Sequence, residues 1–317
     1  ILIPAFSTKG FRMTSTGESE IKKILFNTAE VLTESMLISA YDLYYEYIPS
    51  PEDFPCRPEV MVVDSGGYET SDAHEHSAIY RHTGPINEWD QDKLRTVLNK
   101  WPKYIPAMFV SFDKGDLRQS VRWQIDNAAE LLGSYPDQLS IFLLKPETSS
   151  QLTLRDALKG LRSCLKDLNS FDVVGVTETE LGASVLDRMV SIAELRRDLD
   201  EANVGSPIQV FGGLDPLSSY LYFLSGAELF DGLSWIRYAY RDGCCVYAKN
   251  YGALEMGISH RDTLIQSTIW SRNIYELVNM QEAMKDFLLD MNFGKLCPHS
   301  EMIREAYDRL KRKVGGE

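Results

Sequence analysis

Short apolar, β-rich runs alternate with amphipathic helical stretches along most of the chain. This alternation restricts the fold more than any other feature. The runs are Met36–Ala40, Val60–Asp64, Ala107–Phe112, Ser140–Leu144, Asp172–Val176, Ile208–Phe211 and Glu228–Asp231, with Thr268–Ser271 as a weak eighth. The opening ILIPAF also reads as a strand, and no basic-then-apolar leader is expected. Asp116–Leu132, Leu152–Leu165, Val185–Leu199, Leu217–Ser225 and Ile274–Leu289 carry apolar residues at helical spacing. Strands that alternate with helices pair in parallel, and strands that are almost continuously apolar are buried on both faces. About eight such units predict an α/β fold, a closed (β/α)8 barrel of the TIM type, in preference to an open doubly wound sheet. One domain is expected over residues 1–317, with a helical extension over about 274–317. Tyr47–Pro58 and Thr70–Pro85 read as long loops, and the stretch from Asp231 to about Gln266 shows no clear pattern.

Composition excludes several classes of function. Hydrophobic residues make up 44% of the chain, enough for a large core, yet no run approaches the ~18 apolar residues of a membrane span. The net charge of −13 argues against broad, non-specific affinity for nucleic acid, which rests on many Lys and Arg. Two local basic runs, Lys22-Lys23 and Arg309, Lys311, Arg312 and Lys313, read as solvated helix faces, although they leave room for a local basic surface. Five cysteines, an odd number without CxxC or CxC, argue against a disulfide framework or a Cys-rich zinc site. A reducing, cytoplasmic compartment is the expectation.

The chemistry lies where strands meet loops, because in a parallel barrel the active site forms at the carboxyl ends of the strands. VMVVD ends on Asp64 and runs into Ser65-Gly66-Gly67-Tyr68; Asp113, Glu178, Glu180 and Asp231 also follow or end strands. Carboxylates that converge on one mouth suit glycosidic chemistry, in which one attacks the anomeric carbon and another moves protons. Plainer readings exist for single residues: Asp113 as a helix N-cap, and Asp64 with its glycines as a turn.

Taken together these segments resemble the tRNA-guanine transglycosylase family. Asp64-Ser65-Gly66-Gly67-Tyr68-Glu69 is similar to its DSGG(F/Y)Q motif, and Phe230-Asp231-Gly232 to its FDC segment. Gln209–Pro216 resembles the strand and loop before that segment, Ser111-Phe112-Asp113 the family's AFD, and Tyr41–Tyr44 its YHLY. The order and rough spacing agree over about residues 1–290. The resemblance implies that Asp231 is the nucleophile and Asp64 the general acid/base. It implies that Asp113 accepts from the guanine N1–H and amine, that Tyr68 stacks on a flipped base, and that Ser65, Gly66 and Gly67 shape the base pocket. Gly175 and Val176 would lie on the base-recognition strand, and Arg237 would contact phosphate or carboxylate. The partners implied are a nucleic acid, tRNA or DNA, and a 7-deazaguanine base; a homodimer or partner proteins are further alternatives, and no cofactor is expected.

The chain departs from the family in several places. No CxCxxC precedes Ser271-Arg272-Asn273-Ile274, where Arg272 stands at the position of a zinc-binding His, so zinc is expected to be absent. That puts tRNA in doubt as the substrate and brings the DNA-modifying branch forward. Lys145 stands near a Gln that reads the guanine oxygen and supplies a donor of its own. Glu69 replaces Gln, Ser39 replaces Asn, and the Thr177–Gly182 loop is longer and more acidic. Asp72, His74, Glu75, His76 and His82 form a metal-like group that reads as a polar loop, and Cys244-Cys245 reads as core or loop. Two other functions remain open: a non-catalytic accessory subunit of a transglycosylase, and a nucleoside or glycoside hydrolase.

Overall fold

A computed structural model describes residues 1–11, 13, 19–55, 57–71, 75–77, 86–113, 118–147 and 155–315. Eight strands run in chain order: β1 (Leu2–Phe6), β2 (Ser35–Ser39), β3 (Val60–Asp64), β4 (Met108–Val110), β5 (Leu139–Leu144), β6 (Val173–Thr177), β7 (Ile208–Phe211) and β8 (Leu229–Gly232). All pair in parallel, each with the next, and the sheet closes on itself. The closing register pairs Leu2 with Phe230, Ile3 with Asp231 and Pro4 with Gly232. The fold is therefore the expected (β/α)8 barrel, with extra helices at its C-terminal end.

The eighth strand is not the one weakly indicated in the sequence. ILIPAF supplies β1, whereas Thr268–Ser271 lies inside a 29-residue helix, Asp262–Asp290. The residues that helix buries explain the override. Ile269, Asn273, Ile274, Leu277, Met280, Met284 and Phe287 recur at helical spacing, so packing along one stripe outweighs the local β preference of Thr-Ile-Trp. The C-terminal extension thus begins at Asp262 rather than about 274. It ends with a second helix, Ser300–Gly315, whose Ile303 and Leu310 join the same hydrophobic cluster as the barrel strands.

Capping residues set the helix starts. Ser120 accepts a bond from the Trp123 amide, so the helix predicted from Asp116 begins at Val121. Residues 116–117 of that prediction, and 152–154 of the next helix, lie outside the described residues. That next helix runs Arg155–Leu161 and gives way to a 3-10 turn at Leu165–Ser170. Asp215 caps Pro216–Leu224, with proline in the first turn where its missing N–H does no harm. Thr177–Gly182, read as a loop, folds into a single turn of helix at Glu178–Leu181. Among the described residues, no helix is long and apolar enough to cross a membrane.

The stretch after Asp231 is ordered around one asparagine. A helical turn, Ser234–Arg237, leads into an antiparallel hairpin of β9 (Ala239–Arg241) and β10 (Cys244–Val246). Asp242 and Gly243 turn the hairpin with φ of 50° and 73°, as a two-residue turn of this hand requires. Cys244 and Cys245 are thus strand residues. Asn273, 1% exposed, donates to the carbonyls of Trp235 and Tyr238 and accepts from the Tyr240 amide. Asn273→Ala strands three main-chain groups in a dry site and is expected to destabilise the protein by about 3 kcal/mol in urea unfolding. A change under ~0.5 kcal/mol would mean that the hairpin is held by something else.

Candidate active site

A cavity of about 230 Å3 opens at the carboxyl ends of the strands, where barrel chemistry is placed. Asp64 ends β3 and Asp231 lies within β8; both line this cavity and both are buried. Asp113, Lys145, Tyr68 and Gly67 line it as well, so the structure brings six of the expected residues to one place. Ser65, Gly66, Gly175, Val176 and Arg237 do not line it.

The glycines after β3 are required by close approach. Gly66 has φ +84°, and a Cβ there would lie 2.7 Å from the Trp89 indole nitrogen. That nitrogen donates to the Ser65 carbonyl at 2.9 Å. A Cβ on Gly67 would strike the Asp113 carboxylate. Ser65, wholly buried, donates its hydroxyl to Asp113 Oδ1 at 2.7 Å. Ser65 and Gly67 therefore hold Asp113 against the β3 loop, Gly67 also lining the cavity, while Gly66 makes room for Trp89. Gly175 acts at one remove, since a Cβ there would come within 2.6 Å of the Phe211 ring, which does line the cavity. Val176 is wholly buried and faces no part of the cavity.

The base-recognition candidates already have partners. The Lys145 ammonium lies 2.9 Å from Thr177 Oγ1, 3.2 Å from Glu180 Oε2 and 3.3 Å from Asp113 Oδ2. Burial works to lower its pKa, but the charges of Asp113 and Glu180 prevail and raise it. Arg118 pairs with Glu180 at 2.7 Å from the other side. Tyr68 carries the Lys9 ammonium 4.2 Å from its ring centre, and burial, with Glu75 adding, pushes its hydroxyl up to about 12. Arg237 meets a carboxylate of its own chain: it pairs with Glu75 at 3.0 Å and donates to Ser77 at 2.8 Å. Of the metal-like group, Asp72, His74 and His82 lie outside the described residues, and Glu75 faces the cavity as the partner of Arg237.

Glu69 and Ser39 touch each other. Glu69, 4% exposed, accepts the Ser39 hydroxyl at 2.7 Å and a short bond from Ser7. The acid has the hydroxyl partners a buried carboxylate needs, and burial still raises its pKa against them. Arg272 donates to the Tyr251 hydroxyl at 2.7 Å. Among the described residues, no three His, Cys, Asp or Glu are grouped to hold a metal ion.

The two central aspartates are held differently. Asp231 accepts from Gln209 Nε2 at 2.7 Å on one oxygen and from the Gly212 amide at 3.4 Å on the other. Asp64 accepts from main-chain amides of its own loop, the Gly66 N–H at 3.3 Å and that of Ser65, and no side-chain donor to it is seen among the described residues. Burial pushes both carboxyls up. Asp64 reaches about 7, with Glu69 and Asp113 adding to the effect. Asp231 is driven well above its ordinary value by burial, then by Glu75 and Asp64, with the Gln209 bond acting against them. Glu178, on the same cavity wall, is also raised to about 7 by burial, against its bonds to Tyr222 and the nearby Arg188. Gln209 escaped notice in the sequence as a site residue, although a lone amide inside the apolar run IQVF was its signal.

Asp64 gives a prediction on stability. Its proton is held more tightly in the folded chain, at about 7, than in the unfolded chain, at ~3.9. The stability it contributes is therefore complete below about pH 4 and is lost as the pH rises toward 7. Asp64→Asn removes this loss, so the variant should melt above the parent at pH 8 and beside it near pH 4. Equal melting differences at the two pH values would show that Asp64 is not strained by burial.

Compared with models of protein families and with curated proteins, the chain gives no match.

Proposed function

We propose that the protein exchanges guanine in a polynucleotide, DNA or tRNA, for a 7-deazaguanine through a covalent aspartyl-glycosyl intermediate. The observation that carries this reading is the pair Asp64 and Asp231, buried in one cavity but held unequally. Asp231 has donors on both oxygens, which favours the carboxylate a nucleophile must be. Asp64 titrates near neutrality, which suits a group that gives and takes a proton each cycle.

In the first step an Asp231 oxygen bonds to the sugar C1′ and the bond from C1′ to the base nitrogen breaks. The electron pair leaves on the base, and Asp64 supplies its proton. In the second step Asp64 takes a proton from the incoming base, whose nitrogen bonds to C1′ and releases Asp231 as carboxylate. One glycosidic bond is broken and one made, so no external energy source is needed. The negative charge of the wall suits the cationic character of the sugar in the transition state. Asp113 and Lys145, side by side, offer an acceptor and a donor to the edge of a flipped base. A cavity of about 230 Å3 falls below the ~300–1,000 Å3 of sites for larger ligands, which favours a single base over an extended one.

Incubation with radiolabelled guanine and either duplex DNA or tRNA tests this directly. Label should enter one of them, and Asp231→Asn should reduce the rate by ~10³-fold or more. The rate should fall as the pH drops through the raised pKa of Asp231, because only the carboxylate attacks. Label in neither nucleic acid would overturn the exchange reading in favour of an accessory subunit or a hydrolase.

A further inference from the structure

Gln209 is the polar residue of β7, wholly buried, with Ile208, Val210 and Phe211 around it in the strand. An amide in such a place is unfavourable unless its donors and acceptor are all used. Here only half is used. The Nε2 donates to Asp231 Oδ2 at 2.7 Å, whereas Oε1 is the one buried side-chain oxygen or nitrogen without a partner among the described residues. An orphaned carbonyl of this kind costs about 1–3 kcal/mol, and an apolar residue of the same shape would avoid it. Core packing therefore does not explain the amide.

The orientation of the amide is informative. Turned over, it would set Oε1 2.7 Å from Asp231 Oδ2, tolerable only with a protonated carboxyl. The orientation seen keeps a donor on the carboxylate and leaves the carbonyl stranded. The charged surroundings make such a donor necessary. Asp64 at the end of β3 and Glu75 beyond the β3 loop both act to protonate Asp231. Glu178, whose carboxyl is tied to Tyr222 and near Arg188, shares the cavity. Arg237 is occupied by Glu75. Against these, Asp231 has the Gln209 amide at 2.7 Å and the longer Gly212 contact at 3.4 Å.

We propose that Gln209 is the positioning residue of Asp231: its amide N–H opposes protonation of this carboxyl inside the acid-rich cavity and fixes which oxygen faces the sugar. The inference rests on Asp231 being the nucleophile, but its first readout does not depend on activity. The test uses Gln209→Met, apolar and similar in size, with Gln209→Leu as a second variant that also removes the donor. Carboxyl carbon NMR on the aspartate-labelled full chain follows the titration of Asp231, assigned by the signal that Asp231→Asn removes. Asp231 should titrate at least one pH unit higher in both variants. Gln209→Met should melt at or above the parent temperature. In the exchange assay its kcat at neutral pH should drop about tenfold, with the acid limb moved up and KM within about twofold. An unmoved Asp231 titration in either folded variant overturns the proposal. Lower stability with an unmoved acid limb overturns it too, and marks Gln209 as structural. A moved titration in a protein that exchanges no base leaves the Gln209 assignment standing and removes the transglycosylase reading instead.

Discussion

Closure of the sheet between β1 and β8 is the constraint on which the rest depends. It sets Ile3 opposite Asp231 and, with every strand parallel, brings all eight carboxyl ends to one rim. Asp64 on β3 and Asp231 on β8 are 167 positions apart in sequence and share one cavity because of it. The closing strand is held again from above, where Trp235 donates its indole N–H to the Ala5 carbonyl at 3.0 Å and packs edge-on against Phe6.

Convergence of strand ends crowds like charges. Asp64, Glu69, Glu75, Asp113, Glu178, Glu180 and Asp231 all line the same cavity. The protein answers them in several ways. Glu75 and Glu180 have arginines, Asp113 has Lys145 and Ser65, and Glu69 has two serine hydroxyls. Glu178 has Tyr222. Asp64 has the least support, and burial leaves it near 7; Asp231 has an amide whose carbonyl goes unpaired. Perturbed carboxyls gathered in a cleft are the electrostatic pattern that catalytic sites use.

The barrel was legible in the sequence because its signal is repeated. Alternation of strand and helix, with both-face burial, is redundant over eight units, so the misread Thr268–Ser271 did not alter the fold class. Asp64, Asp113 and Asp231 were legible as acids at strand ends, whereas Tyr68 and Lys145 came forward only through the family resemblance. What the sequence hid was contact. Gly175 serves the cavity only by making room for Phe211, and Arg237 is taken by Glu75 across 162 positions. The hairpin at Asp242-Gly243 had a readable turn signal, but its strands of three residues are too short for a periodicity to show. Asn273 stood in a segment compared with a zinc motif, and its work is to tie down the main chain after β8.

The central claim is a division of labour, with Asp231 attacking carbon and Asp64 carrying protons. The most direct measurement is to trap the intermediate: the protein is incubated with its nucleic acid, denatured in mid-reaction, digested and mapped by mass spectrometry. The account predicts a sugar joined by an ester to the peptide that contains Asp231, absent in Asp231→Asn. It also predicts that an excess of incoming base will discharge the adduct. A sugar on Asp64 or any other side chain, or base released with water added at C1′ and no adduct at any time, would contradict it.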